Sequence, residues 1–251
     1  MIETLILSIV QGITEFLPIS SSSHLILISK FTNYHAQSLS IDVSLHVGSF
    51  IAILTYFRKD IFNFVSNKDL FLKIIVSSIP IILVGFALVK TGLIEKLRNI
   101  QAIGWTTIIF GLLLYLSDKF KLTKNIENNF NYKSAIFIGI IQVVSLIPGV
   151  SRSGISITAA RFLNFKRVDS AKISFLLSIP TLGAVSIYGV SSIFSSSVSF
   201  SILNISAIVL SFIFSLITIK YFIEYIKSFS LNLFVYYRVI LGVILLYFAY
   251  L

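Results

Sequence analysis

A polar segment interrupts the first apolar stretch of the sequence. It reads QGITEFLPISSSSH at residues 11–24, within an apolar run over residues 5–28. Gln11 and Glu15 are four residues apart, so they share one face of a helix. Pro18 ends that helix because it lacks an N–H and clashes with the preceding turn. The serines that follow are good N-cap residues for a second helix. The segment therefore predicts a broken helix whose free N–H groups bind an anion.

Composition places this segment in a membrane. Hydrophobic residues make up 56% of the chain and charged residues only 12%, and the mean hydropathy is +0.96. A soluble domain needs far more charge to cover its surface. We attribute the net charge of +10 to cytoplasmic loops and anionic lipid, not to nucleic acid. The absence of cysteine excludes disulfides and cysteine-ligated metal sites. A carboxylate at mid-membrane costs about 2.5–3.5 kcal/mol, so Glu15 requires a functional reason.

The remaining apolar runs predict the topology. Six of them approach the length that a helix needs to span a bilayer. They cover residues 41–57, 71–89, 102–116, 173–188, 202–219 and 234–250. Four shorter runs form two pairs, each split by a proline followed by serines. We interpret each pair as a re-entrant hairpin, because broken backbone at membrane depth is tolerated where it lines a polar cavity. This layout puts most loop lysines and arginines on the cytoplasmic side, in loops 118–133, 163–172 and 220–233 among others.

The layout predicts a single all-α, polytopic membrane domain with internal symmetry. Each half, about residues 1–117 and 134–251, contains one re-entrant hairpin and three transmembrane helices. Because three is an odd number, the halves insert with opposite orientation. The first hairpin then enters from outside and the second from the cytoplasm. Two inverted-topology repeats with broken helices around a midplane site are a known membrane architecture.

A second polar break, PGVSRSG at residues 148–154, is the partner of the first. Arg152 carries a planar fork of N–H donors that matches phosphate oxygens. Glu15 facing the same anion needs a protonated state or a bridging cation. Mg²⁺ or Ca²⁺ suits carboxylate, amide and phosphate oxygens, and we expect Glu15 and Gln11 to hold it. Gln11 is also a candidate for binding the anion. The other candidates for binding it are Ser20, Ser22, Ser23, Ser151, Ser153 and Gly154.

These motifs resemble the undecaprenyl-pyrophosphate phosphatase family of the BacA/UppP type. The family's first motif is Glu or Gln, three residues, then Glu, and residues 11–15 match it. Its Pro-x-Ser-Ser-x-x-His matches residues 18–24, although Ser-Ser stands at 22–23 where Thr-Gly is common. Its second motif, Pro-Gly-x-Ser-Arg-Ser-Gly-x-Thr, matches residues 148–154, with Ser156 where Thr is usual. The resemblance covers essentially the whole chain.

The resemblance implies a multi-pass enzyme of the bacterial inner or plasma membrane, with its active site open to the outer face. Such an enzyme removes the terminal phosphate of a C55 isoprenyl diphosphate, which recycles the lipid carrier for cell-wall polymers and gives bacitracin resistance. Ser21 is the implied nucleophile. We expect Glu15 or His24 to assist it and Arg152 to clamp the phosphate. The expected partners are the prenyl diphosphate and membrane lipids, and a homodimer is left open.

The residues alone leave alternatives open. Ser20, Ser22 or Ser23 could serve as the nucleophile in place of Ser21. Direct attack by a water that the divalent ion activates is a second route. His24 is as consistent with a structural hydrogen bond as with acid–base catalysis.

Four polar residues elsewhere are predicted to be structural. We assign Asp42 and His46 to packing or a loop, and Arg161 and Arg238 to snorkelling at the cytoplasmic interface. The alternative function is a transporter or flippase for a phosphorylated lipid, since inverted repeats suit alternating access. A membrane scaffold without activity would leave Glu15 unexplained.

Overall fold

The computed structural model describes residues 2–32, 38–64, 68–93, 99–120, 123–195 and 200–251. Within these ranges the regular structure is helical, apart from one isolated β-bridge between Lys124 and Phe165. The helices are α1 (Ile2–Thr14), α2 (Ser21–Phe31), α3 (Leu39–Tyr56), α4 (Arg58–Asn63), α5 (Lys68–Thr91), α6 (Ile100–Asp118), α7 (Ile126–Asn129), α8 (Tyr132–Gln142), α9 (Arg152–Phe162), α10 (Arg167–Ser195), α11 (Ile202–Ser228) and α12 (Asn232–Tyr250). A 3₁₀ helix, Val143–Leu146, continues α8.

Six helices of the described residues are long and apolar enough to cross a membrane. They are α3, α5, α6, α10, α11 and α12, and they coincide with the six apolar runs of the sequence. Large apolar side chains such as Ile187 and Ile240 are exposed on their outer faces, as contact with lipid requires. The prediction of an all-α, polytopic membrane protein is therefore confirmed.

Local sequence signals set the course of these helices. Asn99 caps α6 by accepting a hydrogen bond from the N–H of Ala102 at 2.7 Å. Pro80 and Pro180 lie inside α5 and α10. Each proline removes one helical hydrogen bond. Membrane helices tolerate this loss because neighbouring groups satisfy the freed carbonyl.

Four of the six shorter helices in the described ranges form two contacting pairs, α1 with α2 and α8 with α9, at the positions of the two predicted hairpins. That these pairs are re-entrant stays a prediction. Helix α1 has 13 residues and α2 has 11. At 1.5 Å per residue they are about 20 and 17 Å long, less than the roughly 30 Å of a bilayer core. Ser20 and Ser151 directly precede α2 and α9 and have φ of 74° and 71°. This left-handed conformation is uncommon for a residue other than glycine, so the same sharp turn opens the second helix of both hairpins.

Each hairpin packs against a long helix of the other half. Helix α1 contacts α11, and α8 contacts α5. Both contacts depend on glycine. A Cβ at Gly12 would lie 2.5 Å from Cβ of Phe214, and a Cβ at Gly139 would lie 2.3 Å from the carbonyl oxygen of Ser77. The packing is thus reciprocal between the halves. Their opposite insertion, and their organisation as one domain of two repeats, stay predictions, because helix contacts do not fix the side of the membrane.

Candidate active site

Glu15 is the centre of the site. It follows α1 directly and its side chain is buried. Oε1 accepts a hydrogen bond from Nη2 of Arg152 at 2.7 Å. Oε2 accepts hydrogen bonds from Oγ of Ser21 at 2.7 Å and from Nε2 of Gln11 at 2.9 Å. The carboxylate therefore joins the first polar break to the second.

His46 is a neighbour of this cluster that the sequence reasoning missed. Its Nδ1 lies 3.0 Å from Nε2 of Gln11 and 3.9 Å from Oε2 of Glu15. The sequence pattern predicts a packing or loop residue, but His46 lines the same cavity as Glu15. Its position inside the apolar helix α3 was the available signal, since ionisable residues within membrane helices mark functional sites.

Three other serines of the first break contact one another. The Oγ atoms of Ser20 and Ser23 are 2.9 Å apart and both serines are buried. Oγ of Ser22 lies 3.5 Å from that of Ser20. The network is confined to the turn. It shapes the start of α2 and leaves Ser21 as the serine of this run that contacts Glu15 in the described part of the chain.

His24 also lies apart from the carboxylate. Its Nδ1 is 2.6 Å from the carbonyl oxygen of Ser20, and its Nε2 is 2.5 Å from the hydroxyl of Tyr237. The two rings stack with centroids 5.8 Å apart. Both ring nitrogens are thus occupied. This geometry favours the structural alternative for His24 over acid–base catalysis.

The serines of the second break form its own junction. Oγ of Ser151 accepts a hydrogen bond from the N–H of Gly154 at 3.1 Å and so caps α9. Oγ of Ser153 donates to the carbonyl oxygen of Leu17 at 2.7 Å and lies 3.2 Å from Oγ of Ser151. Ser153 therefore connects the two hairpins. Arg152, between these serines, points to Glu15.

Arg238 holds both breaks together, and the prediction that it snorkels is wrong. Its side chain is fully buried, at 0% exposure. Nη1 donates to the carbonyl of Pro18 at 3.1 Å, Nη2 to that of Gly149 at 2.9 Å and Nε to that of Thr107 at 3.1 Å. A Cβ at Gly154 would lie 3.0 Å from Nη1, so the glycine makes room for the guanidinium. An arginine inside the apolar helix α12 was the signal for this role.

A cavity of about 450 Å³ opens from the cluster. Glu15, Ser21, His46 and Arg152 form its polar end. The rest of its wall is mainly apolar and comes from α5 and α10, at Ile81, Ile82, Gly85, Phe86, Val89, Leu182, Ala184, Val185 and Tyr188. Such a cavity can hold an anionic head beside the cluster and an apolar chain along the two helices.

The donor set fits a divalent cation that is shared with a bound anion. Oε1 of Gln11 is buried and has no hydrogen-bond partner among the described residues. These residues contain no group of three or more His, Cys, Asp or Glu side chains that could hold a metal. The protein thus offers the oxygens of Gln11 and Glu15, and the anion and water would supply the other ligands. Mg²⁺ is commonly bound in this way, through few carboxylates plus substrate phosphates.

Fold and site together define a polytopic membrane protein with a buried carboxylate, Glu15, that is hydrogen-bonded to Gln11, Ser21 and Arg152 at one end of a cavity. Residues 4–244 match the family described as bacitracin resistance protein BacA. The chain belongs to this family, and the resemblance seen in the sequence is confirmed.

Curated relatives agree with this assignment. The undecaprenyl-diphosphatase of Pelagibacter ubique (strain HTCC1062) is 48% identical over 250 residues, which cover 99% of this chain and 98% of that protein. The undecaprenyl-diphosphatase of Jannaschia sp. (strain CCS1) is 40% identical over 259 residues, which cover 98% of this chain and 97% of that protein. The similarity therefore extends over nearly the full length of this chain and of both relatives.

Proposed function

We propose that this chain is an enzyme that hydrolyses undecaprenyl diphosphate to undecaprenyl phosphate and inorganic phosphate. The observation that carries the proposal is the contact of Glu15, Ser21 and Arg152 at the polar end of an apolar cavity. A diphosphate needs a cationic, donor-rich site, and its isoprenyl chain needs an apolar surface. The relatives named as undecaprenyl-diphosphatases support the same substrate.

Ser21 is the nucleophile in this proposal. Its hydroxyl already donates to Oε2 of Glu15, so the carboxylate can take the proton as Oγ attacks the terminal phosphorus. The bond between that phosphorus and the bridging oxygen breaks, and undecaprenyl phosphate leaves with the bridging oxygen. Water then attacks the phosphorus of the phosphoserine. The bond between that phosphorus and Oγ breaks, phosphate leaves, and Oγ of Ser21 takes back the proton that Glu15 held.

Arg152 stabilises the charge that develops on the phosphoryl group. A guanidinium has five N–H donors, and one of those of Arg152 is directed to Glu15. The other donors of Arg152 have no hydrogen-bond partner among the described residues, so they can bind phosphate oxygens. Most of the rate enhancement in phosphoryl transfer comes from such positioning and charge stabilisation. A divalent cation held by Gln11 and Glu15 would neutralise further charge on the diphosphate.

The isoprenyl chain lies along α5 and α10 in this proposal. The apolar wall of the cavity begins beside Glu15 and Ser21 and continues to Val89 and Tyr188. The chain then extends between the helices into the outer leaflet of the bacterial plasma membrane. The loop charges support this orientation, because the cavity wall follows the C-terminal halves of α5 and α10, away from the basic loops that precede these helices. A homodimer stays a prediction.

The test is release of inorganic phosphate by the detergent-purified full-length protein from undecaprenyl diphosphate. We expect Glu15→Gln to lower kcat by about 10²–10⁴-fold, since removing a general base has effects of this size. Glu224→Gln is the matched control, because Glu224 is exposed and pairs with Lys227 at 2.7 Å. If the parent protein released no phosphate, the proposal that it hydrolyses undecaprenyl diphosphate would be refuted. Transfer of the intact lipid between leaflets without hydrolysis would identify a flippase instead.

A further inference from the structure

A second cavity lies at the far ends of the helices that build the active site. Its volume is about 490 Å³. The cationic side chains in its wall are Lys119, Arg161, Lys166, Arg167 and Lys227. They come from the ends of α6, α9, α10 and α11. These ends belong to the three loops that the charge pattern places in the cytoplasm, so three separate chain segments contribute cations to one cavity.

This cavity is distinct from the active site. Arg152 starts α9 at the active site, and Arg161, nine residues later, lines the second cavity. At 1.5 Å per residue their Cα atoms are about 14 Å apart along the helix. Helix α10 repeats the arrangement, with Asp169 at the second cavity and Thr181 at the first. Among the described residues, the linings of the two cavities share no member.

An ion cluster forms the floor of the second cavity; Asp118 and Arg161 are buried in it, and the side chain of Arg167 is 33% exposed. One carboxylate, that of Asp118, pairs with Arg161 at 2.8 Å and with Nε of Arg167 at 2.8 Å. Nη2 of Arg167 donates to the second oxygen at 3.0 Å. Arg161 is only 3% exposed, so the prediction that it snorkels is wrong. Two guanidinium groups share one carboxylate, which leaves the floor with a positive charge.

The floor also contains an unused donor. Nε of Arg161 is buried and has no hydrogen-bond partner among the described residues. A buried donor without a partner is costly, and a bound anion would satisfy it. Asp169, the other carboxylate of the wall, accepts a hydrogen bond from the N–H of Ile126 at 2.9 Å and keeps its negative charge. The five cationic side chains of the wall still outnumber its two carboxylates by three.

The rim adds further positive charge and an apolar edge. Lys119 and Lys166 are exposed there. Lys227 is paired with Glu224, which does not line the cavity. Phe120 lies on the wall and is 53% exposed, so it offers an apolar surface beside the cations. Basic pockets between helices on the cytoplasmic side of membrane proteins are suited to phosphate-bearing headgroups.

We propose that this second cavity binds a phosphate-bearing anion, supplied either by the headgroup of an anionic phospholipid or by inorganic phosphate. Arg161 and Arg167 contact the phosphate from the floor, and Lys119 and Lys166 contact it from the rim. The proposal rests on residues that take no part in hydrolysis. Its test is therefore independent of the test of the proposed function.

The test uses the full-length protein in detergent, with phosphatidylglycerol and phosphatidylcholine offered at equal concentration. Retained lipid is counted by native mass spectrometry. The variant Lys119→Gln/Lys166→Gln removes the rim charges and keeps the buried cluster. We expect about fivefold weaker retention of phosphatidylglycerol per lysine, and so about 25-fold for the pair. Lys133→Gln/Lys220→Gln is the matched control, since neither lysine lines the cavity.

Titration with sodium phosphate distinguishes the two sources. The rim variant and the control variant share an intact active site, so any difference between them reports on the second cavity. Selective loss of phosphatidylglycerol in the rim variant supports a lipid headgroup. Weaker phosphate binding in the rim variant, without any lipid preference in the parent, supports free phosphate. Equal behaviour of the two variants in both measurements would overturn the proposal. The single variant Lys166→Gln replaces the pair if the pair fails to purify as a monodisperse protein.

Discussion

Replacing Arg238 by lysine tests how the two polar breaks are held in register. The guanidinium donates to three main-chain carbonyls, at distances from 2.9 to 3.1 Å, in the complete absence of solvent exposure. Hydrogen bonds that involve a charged group contribute about 1.5–3 kcal/mol each. A lysine ammonium is a compact charge and cannot match the planar fork. We expect it to keep one of the three bonds and to lose about 3–6 kcal/mol with the other two.

The assay is thermal unfolding of the detergent-purified protein, followed by loss of the monodisperse peak in size-exclusion chromatography. A chain of this size loses about 2–4 °C in its midpoint per kcal/mol, so Arg238→Lys should lower the midpoint by at least about 6 °C. Arg58→Lys is the matched control. Arg58 makes an exposed hydrogen bond to the carbonyl of Thr55 at 3.1 Å, and its replacement should change stability by no more than about 0.5 kcal/mol.

Phosphate release supplies a second measurement on the same variants. Below its unfolding midpoint, Arg238→Lys should show a lower kcat, because the break that carries Ser21 and the break that carries Arg152 are no longer fixed to each other. A melting midpoint and a kcat equal to those of Arg58→Lys would refute the reasoning. That result would mean that Ser153 and the helix contacts suffice to align the breaks.

Further predictions concern the nucleophile, the cation and the topology. Ser21→Ala should abolish formation of a phosphoserine and lower phosphate release by at least about 10³-fold, whereas Ser195→Ala, an exposed serine of α10, should retain activity. Retained turnover in Ser21→Ala would exclude this nucleophile. EDTA should inactivate the enzyme and added Mg²⁺ or Ca²⁺ should restore it; unchanged phosphate release would exclude the cation. In intact cells, an impermeant maleimide should label Thr91→Cys but neither Asn128→Cys nor Asn164→Cys, and labelling of one of the last two alone would show that the second hairpin spans the membrane.

The outline of the fold could be predicted because its signals are local. The prolines and serines of the two breaks stop and restart helices within a few residues. The six spans follow from apolar length alone. The contact between Glu15 and Arg152 also had a basis in the sequence, since both are charged residues within apolar surroundings that must avoid lipid.

The roles of His46 and Arg238 could not be predicted in the same way. Both side chains lie on long apolar helices, and the sequence indicates only that such a residue needs a partner. Which partner it finds depends on how α3 and α12 pack against the hairpins. Arg238 also binds main-chain carbonyls. Every residue has such a carbonyl, so the amino-acid sequence does not show which one will accept the hydrogen bond.

The serine runs mislead for a related reason. A hydroxyl has no fixed preference between a ligand and a neighbouring backbone group, so its direction depends on the local turn. The left-handed conformation of Ser20 directs the buried serines toward each other and leaves Ser21 beside Glu15. Four serines in a row could not reveal this division. Participation of the other serines in binding stays a prediction.

The acceptors of Arg238 determine which parts of the site can change. All three are carbonyl oxygens of the main chain, so substitution of the side chains in the two turns removes none of them. The residues that face the cavity can therefore vary while the turns stay attached to one another. The alignment of the two turns and the selectivity of the site are in this sense separate properties. The alignment depends largely on bonds from Arg238 to the main chain, whereas the selectivity can change with the side chains that face the cavity.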